Sequence, residues 1–183
     1  MNLTGQILVS MPSLQDERFY KTVIYLCAHS KEGSMGIIIN KKIDYDLYPD
    51  LLEQLGIDKP LDNKKLFIRY GGPVESSRGF ILHSDEIIQK ETLTIDKGIA
   101  LTSTAEFFEN LSKGKGPKNS ILALGYAGWG PGQLEKEILS NSWMTLSTDS
   151  NFLFDEEVTN KWSEAYHLLG IDPNKLSHHS GTA

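Results

Sequence analysis

The sequence predicts an α+β fold with a mixed β-sheet. Apolar segments with the composition of strands outnumber those with helical spacing, and the two kinds do not alternate strictly along the chain, which disfavours a doubly wound fold. The 183 residues, of which 39% are hydrophobic and 23% charged, are typical of a single globular domain. We therefore expect one compact domain over residues 1–173, followed by a mobile polar tail over residues 174–183.

Short apolar segments rich in β-branched residues indicate the strands. The segment 22–28 is apolar on both faces, which predicts a central strand covered on both sides. A turn at residues 31–33 and a second apolar segment at 36–40 follow, so these two strands are expected to pair as a hairpin. The remaining strands are predicted at residues 7–11, 66–69, 79–83, 99–102 and 120–124.

Four segments carry the signals of helices. Leucines at helical spacing predict a helix over residues 47–55, and a capping box at residues 103–106 predicts the start of a second. Pro131 fits the first turn of a third helix, where its missing N–H costs nothing. An apolar stripe predicts a last helix over residues 156–169, with Asp155 as its cap.

Charge and cysteine content exclude several classes of protein. The chain has 24 acidic and 18 basic side chains, a formal charge of -6, whereas nucleic-acid affinity depends on Lys and Arg at phosphates. Its basic cluster, at residues 113–118, has no aromatic residue for base stacking. Cys27 is the only cysteine, which excludes an intrachain disulfide and fits a reducing compartment. Without a signal-peptide pattern or an apolar run of ~20 residues, we expect a cytoplasmic protein that neither crosses a membrane nor binds nucleic acid directly.

The most distinctive motif is Gly-Tyr-Ala-Gly-Trp-Gly-Pro-Gly at residues 125–132, which follows an apolar run and leads into a charged helix. Together with the segments 5–12, 19–24, 36–40, 71–74, 80–83 and 141–143, it resembles the AlgH/YqgE family of bacterial proteins. The resemblance covers nearly the whole chain. It implies a bifurcated β-sheet curled into a partial barrel with peripheral helices. Members of the family are described as transcriptional regulators, but the resemblance implies no established activity or cofactor.

Two glycine turns are the candidate binding elements. The loop at residues 125–132 joins a strand to a helix N-terminus, a layout that binds anions. Pro131 removes a donor there and the spacing matches no phosphate-binding motif, so a purely structural turn is the favoured interpretation. A second turn lies at residues 71–73. If both turns meet at one end of the sheet, one concavity would be lined by Asn40, Gly71, Gly72, His83, Trp129, Gly130 and Gln133.

No set of residues predicts catalysis or metal binding, and no cofactor is expected. His83 has no partner at triad spacing, and Cys27 and His29 would share a strand face but place the thiol in an apolar strand, where it is inert. Glu135 and Glu137 project to different sides of a helix, and Trp143 is interpreted as core.

The favoured hypothesis is a non-enzymatic binding or regulatory protein, a monomer, that acts through a partner protein or a small anionic ligand. One alternative is an enzyme that uses the backbone donors of the glycine turns with His83 and Gln133 on a phosphorylated or acyl substrate. A DNA-binding regulator is the second alternative, and the net charge disfavours it.

Overall fold

Nine β-strands form one branched sheet among the residues that the computed structural model describes, which are 2–43, 50, 53, 68–96 and 98–176. In chain order they are β1 Ile7–Ser10, β2 Val23–Ser30, β3 Gly33–Ile38, β4 Ile68–Tyr70, β5 Val74–Ser84, β6 Leu93–Asp96, β7 Ile99–Thr102, β8 Ser120–Trp129 and β9 Trp143–Leu146. Their order across the sheet is β6-β7-β5-β8-β3-β2-β1-β9, with β4 attached to β8.

The sheet branches at the long strand β8. The first half of β8 pairs in parallel with β4, where Ile68 lies opposite Leu122, while its last residues pair antiparallel with β3. Both β3 and β4 therefore lie along one side of β8, with β5 on the other. The α+β class and the bifurcated sheet are confirmed. The hairpin of β2 and β3 is confirmed as well, with Ser30 paired to Gly33 across the turn.

One apolar core shows that the sheet is curved. This inner core contains side chains of β1, β2, β3, β5, β7 and β8 together with residues of two C-terminal helices. Strands that are far apart in the sheet order contribute to the same cluster, which requires the sheet to wrap around it. At the far edge, a Cβ added to Gly5 would lie 2.9 Å from the Cβ of Asp96 in β6. Within the described residues β6 and β9 do not pair, so the sheet does not close into a barrel.

Four α-helices lie within the described residues: α1 Ala105–Ser112, α2 Gln133–Leu139, α3 Ser150–Phe154 and α4 Lys161–Leu168. Short 3₁₀ turns occupy Glu17–Phe19 and Pro173–Lys175. Helix α4 covers the inner core, where Trp162 Nε1 and Tyr166 Oη donate hydrogen bonds of 2.9 and 3.1 Å to the carbonyl oxygen of Ser10. In the described part of the chain, no helix has the length and apolar character needed to cross a membrane.

Three helix predictions need correction. Helix α4 begins at Lys161 instead of residue 156, because α3 occupies Ser150–Phe154 and Asp155 ends that helix. The cap of α1 is Thr104, whose Oγ1 accepts the N–H of Phe107 at 3.3 Å, instead of Ser103. Helix α2 begins at Gln133 after Gly132, so Pro131 lies before it. The predicted helix over 47–55 falls almost entirely outside the described residues.

The strand predictions erred mainly in length and at the edges. Strand β8 continues to Trp129 where the sequence predicted an end at residue 124, and β5 begins at Val74 instead of residue 79. The edge strands β6 and β9 were not predicted, since neither has a long apolar run. Of the predicted tail at 174–183, residues 177–183 lie outside the described residues, while Leu176 packs against the inner core.

Candidate functional site

The two glycine turns meet where the chain between β4 and β5 crosses β8. A Cβ added to Gly72 would lie 2.1 Å from the carbonyl carbon of Tyr126, and one added to Gly125 would lie 2.4 Å from the carbonyl oxygen of Gly72. The Gly71 N–H donates a 2.7 Å hydrogen bond to Leu124, so it is not available to a ligand. These glycines permit a close backbone crossing, which supports the structural interpretation of both turns.

Gly125 also reverses the alternation of side chains along β8. Before it, Ile121 and Ala123 point into the inner core. Gly125 has a φ of 69°, a left-handed conformation, and after it Tyr126 packs against the inner core while Trp129 belongs to a cluster on the outer face. An extra residue of this kind in a strand moves the following side chains to the opposite faces.

Trp129 is hydrogen-bonded to Glu137 of helix α2. The indole Nε1 groups of Trp129 and Trp143 donate to Oε2 of Glu137 at 2.9 and 2.8 Å, and the two rings pack edge to face with centroids 6.0 Å apart. Gln133 accepts the N–H of Gly130 at 3.0 Å and donates to Oε1 of Glu137 at 2.8 Å. The motif thus joins β8, β9 and α2 through one carboxylate.

Asn40 and His29 have structural partners elsewhere. Asn40 accepts the N–H of Val23 at 2.8 Å and donates to the carbonyl of Lys21 at 2.9 Å, which ties the end of β3 to the start of β2. His29 Nδ1 accepts the N–H of Leu3 at 3.0 Å, and its Nε2 lies 3.0 Å from Glu135 in α2.

Cys27 and His29 do not share a face as expected. Cys27 lies in the inner core, whereas Leu3, which bonds to His29, belongs to the outer cluster. The pairing of β2 with β3 shifts register between Leu26 and Ala28, which accounts for the difference. Cys27 is 1% exposed, and burial raises the pKa of its thiol to about 12.

His83 is fully buried, with 0% of its surface exposed. Its Nδ1 donates to the Ser84 carbonyl at 2.8 Å, so its Nε2 must be the acceptor for the Thr102 hydroxyl at 2.9 Å. Thr102 in turn bonds to Thr92 at 2.7 Å. Burial lowers the pKa of His83, which favours this neutral tautomer. His83 is therefore a satisfied core histidine.

The expected convergence on one concavity is wrong for His83, whereas Asn40 lies near the turn at Gly71, since Ile38 bonds to Gly71 and Lys41 to Tyr70. His83 lies opposite Ser120 on β8, nine residues before Trp129, which places the two roughly 30 Å apart along the strand. The structure does bring Trp129, Gly130 and Gln133 together, and it places Gly71 and Gly72 against Gly125. Whether any of these residues binds a ligand stays a prediction. Sequence reasoning missed Glu137, although its spacing of four residues from Gln133 was the available signal.

An open cleft of about 460 Å³ lies beside the motif, on the inner side of β8. Its lining includes Met35, Val74, Tyr126 and Gly128, with Glu32 as a charged lining residue. Gly128 has no side chain to fill the cleft, and a Cβ added there would come no closer than 3.3 Å to the Tyr126 ring. The Tyr126 ring packs edge to face against Phe80, with ring centroids 5.7 Å apart.

The described residues contain no group of three or more His, Cys, Asp or Glu side chains that could hold a metal ion. The lining of the cleft combines apolar side chains such as Met35, Val74 and Tyr126 with the polar Ser30, Ser34 and Glu32.

The comparisons with known proteins agree with the sequence motifs. A family model described as AlgH-like matches residues 7–174. The chain belongs to this family. UPF0301 proteins from Nitrobacter hamburgensis and Rhodospirillum rubrum are 49% and 45% identical to it, over 99% of this chain and 88% and 94% of theirs.

Solved structures of similar fold extend the comparison. The solution structure of the AlgH protein from Pseudomonas aeruginosa matches with a TM-score of 0.79 and 34% identity, over 100% of this chain and 97% of that one. A crystal structure of a Corynebacterium diphtheriae protein matches with a TM-score of 0.68 over 88% of this chain and 84% of its own, and at 19% identity it shows the fold alone. The resemblance inferred from the motifs is confirmed.

Proposed function

We propose that this AlgH-like protein is a binding protein, without chemistry of its own, that holds an apolar side chain of a partner protein in the cleft beside Tyr126 and Gly128. The observation that carries the proposal is the cleft itself: about 460 Å³ of space left open by Gly128 within the motif at residues 125–132. An open cleft of this size has room for a single side chain.

The lining favours an apolar partner over an anionic ligand. Val74 is 37% exposed and faces the cleft together with Met35 and Tyr126. Ser30, Ser34 and Glu32 also line the cleft. Apolar lining residues together with polar ones are the usual composition of a protein–protein contact. Glu32 would repel an anion, so we propose a protein segment rather than a phosphorylated compound.

Strand pairing and side-chain hydrogen bonds support the cleft, and a preorganised site loses less entropy on binding. Gly128 pairs with Met35 across the strands, and the next residue, Trp129, is fixed through Glu137 to helix α2. The motif has two roles in this proposal: Trp129 fixes the strand that borders the cleft, and Gly128 leaves the space of the cleft open.

Neither alternative has a comparable observation in its favour. An enzyme built on His83 would need that side chain at the surface, but it is fully buried with both ring nitrogens bonded. Direct DNA binding is opposed by the net charge of -6. We propose that any regulatory role is indirect, through a protein partner in the cytoplasm, where the lone and buried Cys27 would stay reduced.

The test uses two glycines of the same motif. Short peptides would be selected on the wild-type protein by display and their affinities measured by fluorescence anisotropy. Gly128→Leu fills the cleft, whereas Gly130→Leu adds the same side chain where the nearest atom to its Cβ is Gln133 Oε1, 3.8 Å away. Neither glycine has a left-handed φ, so both variants should fold.

We expect Gly128→Leu to weaken the selected peptides by about tenfold or more and Gly130→Leu to leave their affinities unchanged. Selected peptides should also carry a shared aromatic or aliphatic residue. Peptides that bind Gly128→Leu as tightly as the wild type would refute the assignment of the cleft.

A further inference from the structure

We propose a second interaction surface, distinct from the Tyr126 cleft: the groove between α3 and α4 binds a basic amphipathic segment of a partner protein. This groove has a volume of about 720 Å³ and is built from helices and the loop before them, not from the glycine motif. Two independent features indicate the occupant: an apolar floor and acidic side chains along the groove.

The floor consists of Phe152 from α3 and Leu168 from the end of α4. Leu168 is 60% exposed and lines the groove together with the partly covered ring of Phe152. Burial of such a leucine by an apolar anchor of a partner removes its side chain from water, which is a favourable contribution to binding. The groove is large enough for two or three such anchors.

The surface around the groove is acidic. Between residues 149 and 172 the chain has six carboxylates and one lysine: Asp149, Asp155, Glu156, Glu157, Glu164, Asp172 and Lys161. Asp149 and Glu164 line the groove directly.

Two of the nearby cations, Lys161 and Arg69, are turned inward. Lys161 is 0% exposed, donates to the carbonyl of Phe152 and lies 4.6 Å from the centroid of that ring. Arg69, which interacts electrostatically with Lys161 and Glu156, is 2% exposed. These two positive charges therefore lie beneath the surface. The exposed Lys175 pairs with Asp172 at 3.8 Å, which leaves Asp149 and Glu164 as the carboxylates at the groove, beside His167.

A segment with alternating apolar and basic residues would satisfy both features at once. Its leucine-like side chains would cover Leu168 and Phe152, and its lysines or arginines would approach Asp149 and Glu164 at the rim. Charge at the rim steers the encounter and excludes acidic competitors, while the apolar contact supplies most of the affinity. An anionic membrane surface or a nucleic acid would be repelled by the same carboxylates.

The experiment measures binding of a fluorescein-labelled peptide of leucine and lysine at helical spacing, about four turns or roughly 14 residues long. Two matched probes accompany it: the same peptide with every lysine replaced by glutamate, and spermidine as a cation without apolar groups. Leu168→Ser and Glu164→Gln alter the groove. Leu139→Ser, at an equally helical but distant leucine that is 83% exposed, and Glu106→Gln on α1 are the controls.

We expect the lysine peptide to bind and to weaken by about tenfold as the salt rises from about 0.05 M to about 0.3 M. Leu168→Ser should weaken it by about tenfold and Glu164→Gln by about threefold, with both controls unchanged. Chemical-shift changes in a heteronuclear NMR spectrum should centre on α3 and α4. The proposal is overturned if the lysine peptide does not bind, if the glutamate peptide or spermidine binds as tightly, or if Leu168→Ser has no larger effect than Leu139→Ser.

Discussion

Replacement of Glu137 by alanine should destabilise the protein more than any other single change on the surface of α2. The carboxylate accepts hydrogen bonds of 2.9 and 2.8 Å from the indole groups of Trp129 and Trp143 and one of 2.8 Å from Gln133. The two indoles are 6% and 3% exposed, so their N–H groups would lose their acceptor in a nearly dry environment.

The expected magnitude follows from those two donors. A buried donor left without an acceptor costs about 1–3 kcal/mol, and the partly exposed position of Glu137 allows some water to enter, so we take the lower half of the range for each. Glu137→Ala should therefore reduce the free energy of unfolding by about 2–4 kcal/mol. Glu137→Gln should cost about half as much, because an amide oxygen still accepts from the indoles while its NH₂ group opposes that of Gln133.

The assay is urea unfolding followed by far-UV circular dichroism, with near-UV spectra to report the packing of the two tryptophans. Glu135→Ala, two residues away on the same helix, is the control: its carboxylate is 48% exposed and lies 3.0 Å from Nε2 of His29. A Glu137→Ala variant no less stable than Glu135→Ala, with the near-UV spectrum unchanged, would show that the shared carboxylate does not hold α2 to the sheet.

The fold gives three further predictions. Gly125→Ala should cost more than about 3 kcal/mol or prevent folding, since its φ is 69° and its new Cβ would meet Gly72 O at 2.4 Å, whereas Gly130→Ala should have little effect in the same denaturant titration. Cys27, 1% exposed and with a pKa raised to about 12, should react with a thiol reagent only as fast as the protein unfolds; rapid labelling of the native state would contradict its burial. The pKa of His83 is lowered in the folded protein, so on acidification the unfolded chain binds a proton there first, and the free energy of unfolding should fall as the pH drops below about 6.5. Denaturation measured from about pH 8 to pH 5 tests this, and His83→Gln should lose this part of the pH dependence.

The central strands could be predicted because their local pattern and their environment agree. Residues 23–27 of β2 are apolar at every position, and all are at most 3% exposed, as a strand covered on both faces requires. The β2–β3 hairpin follows from the short polar turn between two such segments. Edge strand β6 has mostly exposed residues and no such pattern, so its assignment depends on pairing with β7, which is tertiary information.

The candidate site was harder to predict because its partners come from distant parts of the chain. Glycine is normally unfavourable within a strand, so a motif with four glycines indicates a loop. Here β8 continues through Gly125 and Gly128, and at Gly125 the chain at Gly72 crosses so closely that a side chain would clash. His83 is likewise buried only because Thr102 and the Ser84 carbonyl satisfy its ring, and neither partner is evident from its neighbours in sequence.

The motif and the residues that contact it therefore serve two purposes, stability and an open cleft, which mutation can separate. Gly72, Gly125 and Glu137 act on stability: the two glycines by permitting the crossing, the glutamate by fixing Trp129 to α2. Gly128 is less constrained, since its φ is not left-handed and a Cβ added there would meet only side-chain atoms, the nearest being the Tyr126 ring at 3.3 Å, which would have to shift slightly. Leucine should therefore be tolerated better at Gly128 than at Gly72 or Gly125. If Gly128→Leu keeps full stability but loses the partner peptides, the open space above Tyr126 has a function that the fold alone does not require.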